Sequence, residues 1–316
     1  MRKIFAVICC LVMLTGCGKV QKKSDKISIV CTVFPEYDWV REITGNHSEN
    51  FEITYLLANG SDMHSYQPTM DDMIKISSCD LFIYIGGESD IWTEKAVSQA
   101  ENKNMRTVSL LDSLGNDAKQ EEHKEGMQTE EECEHDEPEY DEHIWLSLGN
   151  AKKLCGTIAE EIYKLDPDNV QDYQDNLSAY CDSLDSLDSQ YSETLSEVPE
   201  KTLIFGDRFP FRYLIDDYGL DYYAVFSGCS AETEASFETI TFLADKTDEL
   251  NIDTIFITEG SDGSVAKSII SGTESKNQNI VCLDSIQSVT AEQINNGTTY
   301  LSIMQSNLDI LKEALS

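Results

Sequence analysis

Positive charge is scarce in this 316-residue chain. Its 23 lysines and arginines face 58 aspartates and glutamates, for a formal net charge of −35. A polymer of phosphates would be repelled by such a surface, which argues against nucleic acid as a partner. The surplus suits a cationic ligand without identifying one. Long apolar runs are absent too. The one sustained run, residues 4–14, is roughly half of the ~20 residues a membrane-spanning helix needs. No CxxC pair occurs among the ten cysteines, which excludes the spacing of a compact zinc module. Seven cysteines lie beyond residue 17, an odd and scattered set. A disulfide framework is therefore not expected, although a single bridge remains open. Most should be small buried hydrophobes, except Cys133, whose acidic surroundings should expose it. Neither an HExxH helix nor a P-loop is present, so the obvious signatures of a metalloprotease and of an ATPase are missing.

What is present begins at the N-terminus. Arg2 and Lys3 precede the apolar run, which ends in Leu14-Thr15-Gly16-Cys17. A charged start, a short apolar centre and small residues are the layout of a secretory signal. The Leu-Thr-Gly-Cys end resembles a bacterial lipobox, in which the cysteine is lipidated and becomes the mature N-terminus. Residues 1–16 are thus expected to be a signal peptide, Cys17 the lipidated residue and 17–25 a polar tether. The location implied is the extracytoplasmic face of a cell membrane, held there by lipid.

Further along, β-rich runs at 27–32, 51–56, 81–85 and 107–111 alternate with helical patterns at 37–43, 71–77 and 93–102. This alternation indicates a parallel sheet flanked by helices. Residues 116–142 are dominated by Glu and Asp, with His123, Cys133 and His135 interspersed, and read as an aperiodic loop. From 148 to 195 the pattern is helical, divided at Asp166-Pro167-Asp168. Its second part carries Tyr173, Leu177, Tyr180, Leu184, Leu187, Tyr191 and Leu195 on one face. A second alternating unit follows. Its strands are expected at 202–205, 222–226, 254–258 and 279–283, and its helices at 211–218, 237–250, 265–270 and 291–315. The fold expected is α/β: an N-terminal lobe (26–165), a long rigid connecting helix (166–198) and a C-terminal lobe (199–316).

Ligands of α/β units bind beyond the carboxyl ends of strands. Four polar residues occupy such strand-following or loop-end positions: His64, His143, Asp207 and Asp284. Taken singly, each has a plainer role. A histidine in a turn is usually structural, and an aspartate after a strand is usually a helix cap. Together, two nitrogens and two oxygens form a plausible shell for zinc or manganese.

The segment Asp62-Met63-His64-Ser65-Tyr66-Gln67-Pro68-Thr69 resembles the D-P-H-S-Y-E-P-T motif of the cluster A-I substrate-binding proteins, the zinc- and manganese-binding components of bacterial ABC importers. Tyr140-Asp141-Glu142-His143-Ile144-Trp145-Leu146 is similar to that family's Y-D-P-H-V-W-L-D. Further similarities lie at 211–220, 257–259 and 281–284, so nearly the whole mature chain is covered, in the family's order. The resemblance implies that His64, His143, Asp207 and Asp284 hold Zn²⁺ or Mn²⁺ between two lobes, with Glu259 in reserve. The third position departs from the family's His or Glu, and a shift of one residue would place Arg208 there. The acidic loop with His123, Cys133 and His135 resembles a thinned version of the His-rich loop of zinc members. The implied activity is metal delivery to a permease driven by a separate ATPase, by a monomer that is not an enzyme. A metal-dependent hydrolase and a lipid-anchored surface adhesin are the alternatives.

Overall fold

The computed structural model describes residues 26–128, 139–230 and 234–316. The expected signal, Cys17, Cys133 and His135 lie outside them. Two four-stranded sheets form the frame. In the first lobe, β1 (Ile27–Cys31), β2 (Phe51–Tyr55), β3 (Leu81–Tyr84) and β4 (Arg106–Ser109) lie in the order β2-β1-β3-β4. In the second, β5 (Thr202–Phe209), β6 (Asp221–Ser227), β7 (Thr254–Thr258) and β8 (Asn279–Leu283) lie in the order β6-β5-β7-β8. Every pairing is parallel. The central strands are accordingly apolar on both faces: Ile29, Val30, Cys31, Leu81, Phe82 and Ile83 are all buried.

Helices cover the first sheet: α1 (Phe34–Thr44), α2 (Met70–Ser78), α3 (Trp92–Ser98), α4 (Leu110–Leu114) and α5 (Leu148–Leu165). The connecting helix α6 (Val170–Glu197) follows a one-turn break at Pro167–Asn169. Proline lacks the amide hydrogen that a continuous helix would need there. Tyr173, Tyr180, Leu184, Leu187, Tyr191 and Leu195 of α6 are buried, as the three- and four-residue spacing predicts. This helix packs on α1 and α5 of the first lobe. It also packs on α7 (Arg212–Tyr218) and on the last helix, α11 (Tyr300–Ala314). Tyr191 fixes the latter contact by donating its hydroxyl to the Met304 carbonyl at 2.6 Å. The second lobe is completed by α8 (Phe237–Glu249), α9 (Ser264–Gly272) and α10 (Ala291–Asn295).

The structure corrects several sequence expectations. The closing segment 291–315 is two helices, broken at Gly297, which has a positive φ, and restarted by the Thr299 cap. Strand 107–111 ends at Ser109, whose side chain accepts the Asp112 amide and starts α4. Strand β5 runs to Phe209, four residues past its expected end, because a bulge between Phe205 and Arg208 inserts one extra residue against β6. The described flanks of the acidic loop are pinned rather than loose. Gln120 and Tyr140 form a bridge, and Lys119 N–H donates to the Tyr213 hydroxyl. Of the six described cysteines, all free, Cys31, Cys79 and Cys155 are the buried hydrophobes expected. No helix among the described residues is long and apolar enough to cross a membrane.

Candidate metal centre

His64 sits in the turn Met63–Ser65, after β2. Asp62 caps that turn by accepting the His64 amide at 2.9 Å, which holds the backbone and aims the ring inward. The ring Nδ1 lies 2.8 Å from Ser89 Oγ. His143 opens the turn Ile144–Leu146 and is fully buried. Asp141 clamps it twice with one oxygen, accepting the His143 amide at 2.8 Å and its ring Nδ1 at 2.9 Å. Trp145 packs edge-on to the ring at 5.4 Å and anchors itself by donating Nε1–H to the Ser285 carbonyl.

With both Nδ1 atoms held, the Nε2 atoms of His64 and His143 face each other at 3.1 Å. Two zinc–nitrogen bonds of ~2.0–2.1 Å at a tetrahedral angle separate the nitrogens by about 3.3 Å. A metal therefore fits between them with a movement of only a few tenths of an ångström. An oriented imidazole with a carboxylate behind it is the usual support of a metal-bound histidine.

The charges nearby favour a cation. Glu142 uses Oε1 to accept the Ser89 amide at 2.8 Å, while Oε2 is buried without a donor, 3.6 Å from His64 Nδ1. Leaving such an oxygen unsatisfied costs about 1–3 kcal/mol, which a nearby dication would offset. Burial, then the charge of Asp90, raises Glu142 to about 7. Burial and the neighbouring His143 push His64 far down, so its ring is neutral. Burial alone would also lower His143, but Asp141, Glu142 and Glu121 outweigh it and raise the ring.

A third group joins the two imidazoles. The ligand atoms of His64, His143 and Cys229 all lie within 4.8 Å of one another. Cys229 follows β6 in Ser227-Gly228-Cys229-Ser230, and its amide donates to Glu121 Oε1 at 2.8 Å. Sequence reasoning missed it, although the strand-end rule that selected the others applies equally to β6. A lone cysteine simply carries no spacing signal.

The structure brings together two of the four expected ligands. Asp207 lines the cleft beside His64 with both oxygens hydrogen-bonded: Oδ1 accepts the Arg208 amide and Oδ2 accepts the hydroxyl of Thr258 at 3.0 Å. Past the β5 bulge Arg208 also reaches the gap between the lobes. Arg208 pairs there with Asp62. Asp284 ends β8, and its Oδ1 accepts the Ile286 amide at 2.7 Å. Burial, then the charge of Glu259, raises Asp284 to about 7. Glu259 accepts from the Ser285 amide and hydroxyl, both at 2.7 Å, and from the Gln287 amide. His123 lies in a separate groove with Glu122, Tyr140 and Arg212. A cleft of about 640 Å³ opens beside His64, lined also by Asp62, Asp207, Arg208, Thr258 and Glu259 from both lobes.

The family model described as "Zinc-uptake complex component A periplasmic" matches residues 29–314. The high-affinity zinc uptake system protein ZnuA of Bacillus subtilis is 28% identical over 321 residues, covering 99% of this chain and 97% of that one. The zinc-binding lipoprotein AdcA of Streptococcus pneumoniae is also 28% identical over 319 residues, but this chain spans only 61% of its length. In three dimensions, the Zn(II)-bound ZnuA-like domain of Streptococcus pneumoniae AdcA matches 92% of this chain and 99% of its own. The TM-score is 0.72 at 26% identity.

Proposed function

The chain belongs to the family of periplasmic zinc-uptake complex A components, and from that premise we propose that it captures a zinc ion in the cleft between its lobes and delivers it to a membrane importer. The observation that carries this reading is the pair of opposed Nε2 atoms, 3.1 Å apart, each backed by a partner on Nδ1. These two nitrogens face each other beside the cleft that His64 lines.

In this reading His64 and His143 are the two imidazole ligands from the first lobe. Asp284 supplies a carboxylate from the second, with Glu259 behind it. Burial and the charge of Glu259 raise Asp284, a cost that a bound dication relieves. Asp207 lines the same cleft, with Oδ1 on the Arg208 amide and Oδ2 on the Thr258 hydroxyl, and is not counted among the ligands in this reading. The metal ties the lobes together, while α6, packed on both, limits their relative motion. The lipid anchor at Cys17 holds the protein on the extracytoplasmic face, where a permease and its ATPase receive the ion. The negative surface concentrates cations around the cleft.

Two imidazoles favour zinc over manganese at comparable geometry. The test is thermal unfolding of the metal-free protein with added zinc or manganese, and with both in competition. Zinc should raise the midpoint and manganese should not displace it. No shift with either metal would overturn the reading.

A further inference from the structure

We propose that the Cys229 thiolate is a direct ligand of the captured metal, joining the two imidazoles and the Asp284 carboxylate. The inference rests on the reading of the cleft as a zinc site and adds a donor to it.

Three independent observations converge. The first is position: Cys229 Sγ and the two imidazole nitrogens lie within 4.8 Å of one another. Zinc–sulfur and zinc–nitrogen bonds of ~2.3 and ~2.0–2.1 Å put sulfur about 3.6 Å from each nitrogen in a tetrahedral shell. The loop therefore needs to close by about 1 Å at most.

The second is how the loop is brought there. A Cβ at Gly228 would lie 2.8 Å from the Phe209 carbonyl oxygen and 3.1 Å from His143 Cε1. Only glycine lets this backbone press against the buried imidazole, and the residue it delivers is Cys229. The Cys229 amide is then fixed by Glu121 Oε1.

The third is surroundings. Cys31, Cys79 and Cys155 sit in apolar clusters and behave as small hydrophobes. Cys229 belongs to none of those clusters and stands among Glu121, Asp141, Glu142 and the two histidines. A sulfhydryl in a pocket of carboxylates has no packing reason to be there. A dication would convert those carboxylates from a burden into support.

Cys229 also adds to what the second lobe contributes. β5 presents both Asp207 and Arg208 to the cleft, and Arg208, a permanent cation held by Asp62, cannot bind metal. The β6 loop supplies a donor one strand away. On binding, the thiol proton leaves to solvent and the sulfur lone pair forms the metal bond, with no redox change. A thiolate is a soft ligand, so it selects zinc against manganese beyond what two imidazoles achieve.

The test is cobalt(II) substitution in reducing buffer, read by absorption spectroscopy. Wild type, Cys229→Ser and Cys229→Ala are compared, with apo thermal melts as a folding control. The wild type should show a near-ultraviolet thiolate-to-cobalt charge-transfer band at one cobalt per chain. Both variants should lose the band, keep weaker cobalt binding, and lose zinc affinity on the order of tenfold or more. Cobalt bound to the wild type without that band would overturn the assignment while leaving zinc capture standing. A band that persists in the variants would do the same. Failure of the wild type to take up either metal would defeat the capture reading and this inference together.

Discussion

His64 and His143 present their Nε2 atoms to each other at 3.1 Å, a hydrogen-bond separation. Asp141 lies 2.9 Å from Nδ1 of His143, and a metal entering between the rings must replace their contact and find an Nε2 lone pair free of a proton on each. Zinc affinity should therefore decline as pH falls. His143 is raised from the ordinary imidazole value, so the decline begins at a higher pH than for a free imidazole. Competition with a chelator between about pH 5 and 8 measures this. In Asp141→Asn the onset should move to lower pH. The affinity at high pH should drop about 10–100-fold, because the ring loses its orienting partner.

Removing either ring should be more damaging than removing its support. Four protein ligands together carry about 10–16 kcal/mol in structural zinc sites, so one is worth on the order of 3 kcal/mol, roughly 100-fold in affinity. His64→Ala and His143→Ala should each lose that much by calorimetric titration. Asp207→Ala should lose far less, since its oxygens serve Arg208 and Thr258.

Arg208 and Asp62 join the two lobes across the cleft. Both are partly exposed, so their ion pair should contribute at most about 1 kcal/mol to stability. Their effect on cation binding should be larger and of opposite sign in the two variants. Arg208→Gln removes a positive charge and releases Asp62, so zinc affinity should rise. Asp62→Asn leaves the guanidinium unpaired beside the site, so affinity should fall. Changes of the same sign in both would refute this electrostatic account.

Glu36 offers a test of stability away from the metal. It is fully buried and accepts the Thr32 and Val33 amides at the start of α1. Burial, then the charge of Asp90, raises it to about 8. A carboxyl whose folded pKa lies above its unfolded value binds more protons folded than unfolded. Its contribution is complete below the unfolded value, near 4.5, and is lost as pH rises through about 8. The wild-type melting temperature should fall from pH 5 to pH 9 more steeply than that of Glu36→Gln, which keeps an acceptor without a charge. Parallel curves would contradict the assignment.

The eight strands were legible because each is a short apolar run bounded by turn residues, and α6 because its apolar face repeats over 28 residues. His64 and His143 were legible through the segments around them. The β5 bulge was not: Gly206 is the one cue in Phe205-Gly206-Asp207-Arg208, and a lone glycine does not say where the extra residue falls, yet the bulge precedes Arg208, which pairs with Asp62. Gly206 shows why the strand tolerates this path, since a Cβ there would lie 2.7 Å from Ala266 of α9. Cys229 was invisible for another reason. Its partners lie 86 and 165 residues away along the chain, and only the fold brings them together.

The most direct test is a zinc-edge anomalous difference map from crystals of the zinc-loaded protein. One strong peak should lie between the Nε2 atoms of His64 and His143, within bonding distance of both. A peak found only in the groove beside His123, or no peak between the two rings, would contradict zinc capture at this site.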